Sequence, residues 1–159
     1  MGTYRISRCL EASIVDFLKT EFLADWNSNN VECAFARIYE IDLPSILVRV
    51  GVTEHERAEC GSSSTVRKAQ VLIDIFAKSE GMQRDIKDWV IAKMKSGCVY
   101  YAYTITNGIV SAKTADGRLR VLNIEDTPIN FDTDRDKLDR HDRFRWLITL
   151  QVSRGKLET

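Results

Sequence analysis

Apolar residues recur every three to four positions through SRCLEASIVDFLKTEFLADW. Leu10, Ile14, Phe17, Leu18, Phe22 and Trp26 fall on one side, and Glu11, Asp16, Lys19 and Glu21 fall largely opposite. That spacing predicts an amphipathic helix of about five turns. NSNN at 27–30 stops it, because Asn and Ser side chains compete for backbone hydrogen bonds and Asn tolerates a left-handed cap. From Val31 to Tyr39, and again from Ser45 to Thr53, β-branched and aromatic residues predict strands, with Pro44 interrupting the ladder between them. A polar stretch, TEHERAECGSSSTVRKAQ, leads into VLIDIF, which places Val71, Ile73 and Ile75 on one face and Leu72 and Phe76 on the other. Apolar faces on both sides predict a central strand. The two strands and their long polar connection read as a projecting hairpin.

Further along, Ser79 is a candidate N-cap, and Met82, Ile86, Trp89, Val90 and Met94 form a second helical stripe that Lys95 and Gly97 close. CVYYAYTIT reads as a strand. Asn107-Gly108 and Asp116-Gly117 both supply the positive φ of a two-residue turn, which predicts a short meander through Ile124. Phe144, Trp146, Ile148, Leu150 and Val152 then alternate against Arg143, Arg145, Thr149, Gln151 and Ser153, one face buried and one wet. The order of elements defines a single α+β domain over residues 1–159. It has a mainly antiparallel or mixed sheet, two amphipathic helices on one face and a long projecting hairpin.

Composition narrows the function. Hydrophobic residues at 44% and charged residues at 29% are ordinary for a globular chain of 159 residues. Lys plus Arg equals Asp plus Glu at 23 each, so the field that draws a polyanion is absent and sequence-specific nucleic-acid binding is disfavoured. No apolar run approaches the ~20 residues of a membrane span, so a soluble, unexported protein with no membrane partner is expected. Cys9, Cys33, Cys60 and Cys98 are too widely spaced for a zinc site and read as free thiols of a reducing cytosol.

Candidate chemistry is sparse. Asp132, Asp134 and Asp136 repeat the opening of a calcium loop, but its sixth and twelfth positions hold Lys137 and Arg143 instead of Gly and Glu. Arg135, Lys137, Arg140 and Arg143 compensate the acids locally, so the segment reads as a solvated approach to the last strand. His55 and His141 fall in charged segments expected to be exposed loops, which suits neither as a catalytic base. GSSST at 61–65 lacks the Lys and the following helix of a phosphate loop and reads as a loop tip. A metal-dependent nuclease built from scattered pairs, Asp42 with Glu54 or Asp74 with Lys78, is the enzymatic alternative. Asp74, set among apolar residues, reads better as pairing with an Arg across the sheet or at a subunit contact. Neither a metal nor a cofactor is expected, and the residues point away from an enzyme.

The order of segments is a helix, a strand pair with a long polar hairpin, VLIDIFAKSEGMQRDIKDWVIAKM as strand into helix, and a charged loop before RFRWLITLQVSRG. From Leu10 to Arg154 this resembles the tail-terminator, or tail-completion, proteins of long-tailed bacteriophages. The resemblance implies a structural subunit of the virion tail or neck, assembled in the host cytoplasm. Such a subunit forms a six-fold ring that caps the tail tube, ends its elongation and joins tail to head. Its implied partners are further copies of itself, the tail tube protein and a head-completion or connector protein, with room for DNA to pass through the ring. It carries over no catalytic residue. Subunit or tube contacts would fall in Thr53 to Thr65, at Glu54, Glu56, Arg57 and Glu59. A second set would fall in Asp126 to Asp142, at Asp132, Asp134, Arg135, Asp136 and Arg140. Intermixed charges of both signs suit heterologous contacts between identical subunits. A cytosolic oligomeric binding domain is the third reading.

Overall fold

The computed structural model describes residues 5–158. Helix α1, Ile6–Trp26, ends where expected: Asn27 adopts φ 53° and its N–H bonds to the Leu23 carbonyl. A two-residue strand β1, Val31–Glu32, leads to a 3-10 helix, Phe35–Glu40, and then to β2, Ser45–Arg57, and β3, Thr65–Phe76. Helix α2, Glu80–Met94, starts at Ser79, whose hydroxyl accepts from the Met82 N–H. Strands β4, Cys98–Thr106, β5, Ile109–Ile129, and β6, Arg145–Glu158, complete the chain, with a short 3-10 turn at Arg135–Lys137 before β6.

The architecture is α+β. One mixed six-stranded sheet runs in the order β1-β2-β3-β6-β5-β4. Among the described residues only β1 and β2 pair in parallel; the other neighbours are antiparallel. β3 lies centrally between β2 and β6, as its two apolar faces require. The larger core joins Leu10, Ile14, Leu18 and Phe22 of α1 and Ile86, Val90 and Met94 of α2 to strand residues Val48, Val71, Ile73, Ile148 and Leu150. Residues at alternate positions on the same strands, Leu47 and Phe76, instead meet Ile38 and Leu43 in a smaller core. Period-two alternation therefore feeds two cores from one sheet.

Three predicted elements differ. The strand expected from Val31 to Tyr39 is two residues long, and the rest is the 3-10 helix. Its β-type composition reflects burial rather than pairing, for Ile38 is fully buried in the smaller core. Asp116-Gly117 makes no hairpin. β5 runs straight through it, and the register slips from Tyr101↔Ala115 to Val99↔Arg118. One extra residue is absorbed as a bulge, with Gly117 at φ 95° supplying the left-handed position that the turn would have used. Asn107-Gly108 does make the β4–β5 turn, at φ 51° and 80°. Finally, the polar excursion is mostly strand: β2 and β3 stay paired out to Arg57↔Thr65, leaving a connection of only residues 58–64. Charged residues tolerate a strand there because its side chains are solvated.

Gly97 shows how tightly the sheet closes on α2. It sits at φ 70°, and a Cβ there would lie 2.0 Å from the Leu119 carbonyl oxygen. No side chain larger than hydrogen fits.

Candidate functional site: a buried ionic network and two charged ends

Asp74 projects from β3 into the smaller core and is almost fully buried. Its Oδ2 receives Arg49 Nη2 from β2 at 2.9 Å, and Arg145 Nη2 of β6 stands 3.6 Å away. The register explains this meeting, since Asp74 pairs with Leu47 on one side and Leu147 on the other, two residues from each arginine. The predicted cross-sheet pairing of Asp74 with arginine is thus present. Burial pushes the Asp74 carboxyl above its ordinary range, while Arg145 and then Arg49 pull it back.

Arg145 carries the network onward. Its Nη1 donates to Asp142 Oδ1 at 3.1 Å, and its guanidinium lies 4.7 Å from the centroid of the Phe76 ring. The Tyr39 hydroxyl donates to the same Asp142 oxygen at 2.8 Å. Burial first, then Asp142, raises the Tyr39 phenol, which keeps it a proton donor. Arg145 was expected on the wet face of the last strand. It is buried there because Asp74 and Asp142 pair with its charge on two sides.

His141 also departs from expectation. Predicted in an exposed loop, it is 1% exposed, with its ring against Tyr39 and Phe76 at 5.4 and 6.4 Å between centroids. Nδ1 lies 3.0 Å from Asp139 Oδ1, and Nε2 lies 2.8 Å from the Ile41 carbonyl. Both partners are acceptors, so a neutral ring satisfies one and a doubly protonated ring satisfies both. The contacts pin the far end of the aspartate-rich segment to the chain before β2. His55 lies in β2 and is exposed.

The network fastens layers and leaves little free chemistry. Asp74 Oδ1 is buried without a hydrogen-bond partner, yet its carboxylate is enclosed by guanidinium groups. The nuclease pairs are not assembled: Lys78 is exposed beyond the end of β3, and Asp42 precedes β2 while Glu54 lies toward its far end. Among the described residues, no group of three His, Cys, Asp or Glu side chains is placed to hold a metal ion. Nor, among the same residues, is any helix long and apolar enough to cross a membrane. Cys9 and Cys98 are buried in the larger core, and burial pushes the Cys98 thiol up to about 11; Cys33 and Cys60 are exposed.

The nine candidate contact residues divide between two ends of the sheet. Glu54, Glu56 and Arg57 lie on β2 and Glu59 in the connection beyond it, all exposed. Asp132, Asp134, Arg135, Asp136 and Arg140 are exposed around the 3-10 turn before β6. Their ion pairs are local or long: Lys68–Glu56 at 2.9 Å, Lys137–Asp134 at 3.8 Å, Arg135–Glu80 at 3.9 Å and Arg140–Asp42 at 3.9 Å. Sequence reasoning missed Arg49, Arg145, Tyr39, Asp139, Asp142 and His141 as one unit. A signal existed for two of them, because Arg49 and Arg145 each interrupt an apolar strand as Asp74 does. No protein-family model matches the chain, and no curated protein matches it in sequence.

Proposed function

We propose that this chain is a non-catalytic assembly subunit of the tail-terminator kind. It forms a six-fold ring on the end of a phage tail tube, stops elongation and offers a surface for head joining at the virion neck. In this reading both helices cover one sheet face, and the outer β2–β3 ladder is a projecting hairpin that meets a neighbouring subunit or the tube.

The observation that carries the reading is that outer ladder. β2 and β3 remain paired for five residues beyond the bulge at Val50/Thr53, from Thr53↔Ala69 to Arg57↔Thr65. Val52, at the bulge, is 70% exposed. Among the described residues β1 pairs only with Ile46 and Leu47, and the Val50 N–H donates to Glu11 of α1, so the outer edge of β2 offers itself to a partner from Thr53 onward. An exposed ladder edge is an association hazard unless charge guards it or a partner covers it. Glu54, Glu56 and Arg57 guard it here. β3 keeps β6 as its other neighbour out to Thr65↔Glu158, so the edge this arm offers a partner is that of β2.

Negative-stain electron microscopy of the purified protein, alone and with tail tubes, tests this directly. Rings, free or at tube ends, are expected. A strictly monomeric protein that leaves tube ends bare and tube length unregulated would overturn it. Cleavage of DNA in magnesium or manganese, lost in Asp74→Ala, would replace it with the nuclease reading.

A further inference from the structure

Two stretches of sheet edge have no neighbouring strand among the described residues. On one side β2 has lost β1 after Leu47 and gives its Val50 N–H to Glu11, so its edge stands open from Thr53. On the other, β4 stops pairing with β5 at Cys98↔Leu119, and β5 from Arg120 onward pairs with β6 alone. Pro128, with no N–H to donate, sits in that stretch as an edge position permits. The edge of β4, by contrast, is engaged by side chains: Tyr101 donates its N–H to Ser13 Oγ at 2.9 Å, and the Ile105 carbonyl accepts from Arg5 at 2.8 Å.

The two open borders match row by row. Each carries a bulge at the same level, between Val50 and Thr53 in β2 and between Val121 and Asn123 in β5, because Thr53, Ala69, Val152 and Val121 share one row. Each bulge exposes an apolar side chain, Val52 at 70% and Leu122 at 50%. Outside the bulges, one row starts at Glu54, crosses Lys68 and Ser153, and ends at Arg120. Inside them, another starts at Arg49, crosses Leu72 and Thr149, and ends at Glu125. From outside inward, the β2 border therefore runs acid, apolar, base, and the β5 border runs base, apolar, acid.

Neighbouring charges do not cancel this pattern. Lys68 bonds Glu56 at 2.9 Å and stands opposite Glu54, one lysine for two glutamates. Arg67 is paired with Glu158, and Arg57 lies at the far tip of the ladder. Arg120 is exposed and makes no ion pair among the described residues. Arg49 remains 39% exposed while bonded to Asp74. Asp126, next to Glu125, is occupied in accepting from Trp146 Nε1.

Each step from β2 through β3 and β6 to β5 is antiparallel, so β5 runs opposite to β2. A second copy set alongside in the same orientation thus offers its β2 to β5 as an antiparallel neighbour, the pairing this sheet already uses. One chain cannot join its own borders, which lie three strand spacings, about 14 Å, apart across the sheet.

We propose that the β2 border of one copy docks on the β5 border of the next, with Val52 against Leu122, Glu54 against Arg120 and Arg49 against Glu125. The inference rests on the assembly reading and supplies its contact. Two different borders meet, so the contact is head-to-tail and closes into a ring where the rotation allows. A ring has no rise from one copy to the next, so an axis along the strands brings together residues of the same row. The flanking charges set the register, and added salt weakens them.

Charge reversal tests that register. Arg120→Glu and Glu54→Arg each set like charges face to face, and each is expected to weaken self-association about tenfold or more in sedimentation velocity. Both side chains are exposed, so the circular dichroism spectrum should not change. Carried together in one chain, the reversed charges meet again and assembly should return. The two single variants, mixed, should also assemble by strict alternation, since every contact then joins opposite charges. Proximity is tested by Val52→Cys with Leu122→Cys in a chain whose exposed thiols are removed by Cys33→Ser and Cys60→Ser. Oxidation should give a ladder of disulfide-linked multiples in a denaturing gel, and either new cysteine alone should leave single chains.

Reversals that weaken association without recovery in the double variant place the two charges in separate contacts and overturn the proposal. Wild-type protein that assembles while both reversals assemble equally well and no ladder forms also overturns it, and leaves the ring reading standing. Wild-type protein that stays monomeric with and without tube protein overturns both.

Discussion

In the larger core, Val71, Ile73, Ile148 and Leu150 cluster with apolar side chains of α1 and α2. In the smaller, Leu47 and Phe76 meet Ile38 beside an aspartate, two arginines and a histidine. The first layer is held by non-directional burial, worth about 25 cal/mol for each Å2 of apolar area removed from water. The second has less apolar surface to offer, and its segments, residues 33–44 and 130–144, are irregular. Irregular chain brings its own unpaired polar groups. Directional contacts to Asp74, Asp142 and His141 fix its position where packing alone would let it slide.

Four single substitutions and one triple replacement break or sharpen this contrast. Phe22→Ala should cost about 3–5 kcal/mol in urea unfolding, since the ring is fully buried and packs on Trp26 and Trp89. Asp74→Ala should cost about 3 kcal/mol, because it removes one of the two carboxylates that pair with the buried Arg145. Replacing all three charges with apolar residues, Arg49→Met, Asp74→Leu and Arg145→Met, should recover most of that loss. Failure to recover would show that Asp74 matters through something other than its charge partners. His141→Ala should cost about 1–3 kcal/mol, as buried groups lose their hydrogen bonds. Its hydrogen-exchange signature should be confined to residues 39–43 and 130–144, whereas Phe22→Ala should loosen the helices. Trp146→Ala should cost about 1–3 kcal/mol. The ring is only half-buried, with its Nε1 donating to Asp126 at 3.0 Å and Lys87 Nζ 5.0 Å from its centroid, so the full cost of emptying a core site does not apply.

The smallest effect is a pH effect. Hydrogen bonds from the His141 backbone, then from its ring, hold the Asp139 carboxyl below its ordinary value of 3.8. A depressed carboxylate contributes stability that is present above its unfolded value and is lost as pH falls through the folded one. The stability gap between wild type and Asp139→Asn should therefore be visible near neutral pH and close at pH below 3.8. A gap that widened in acid would contradict the contact.

The larger core was legible because its residues repeat locally. Leu10, Ile14, Leu18 and Phe22 mark a helix within one segment, and Ile148, Leu150 and Val152 mark a strand within another. The smaller core was not, because it is assembled from short pieces far apart in sequence, joined by groups that read as surface. Asp74 was the exception, an acid among apolar neighbours whose burial demanded a partner. Asp116-Gly117 misled for a related reason: positive φ serves a turn and a bulge equally, and only the continued pairing of β5 decides between them. A cleft lined by Trp26, Asp42, Lys78 and Arg140 was likewise invisible to local reading, drawn as it is from four separate stretches of chain.

Native mass measurement of the purified chain, across concentration and salt, tests the central claim that this molecule works by assembling with itself. The account predicts one oligomer of fixed copy number that loosens as ionic strength rises. A single-chain mass at every concentration and ionic strength, unchanged by added tube protein, would contradict it.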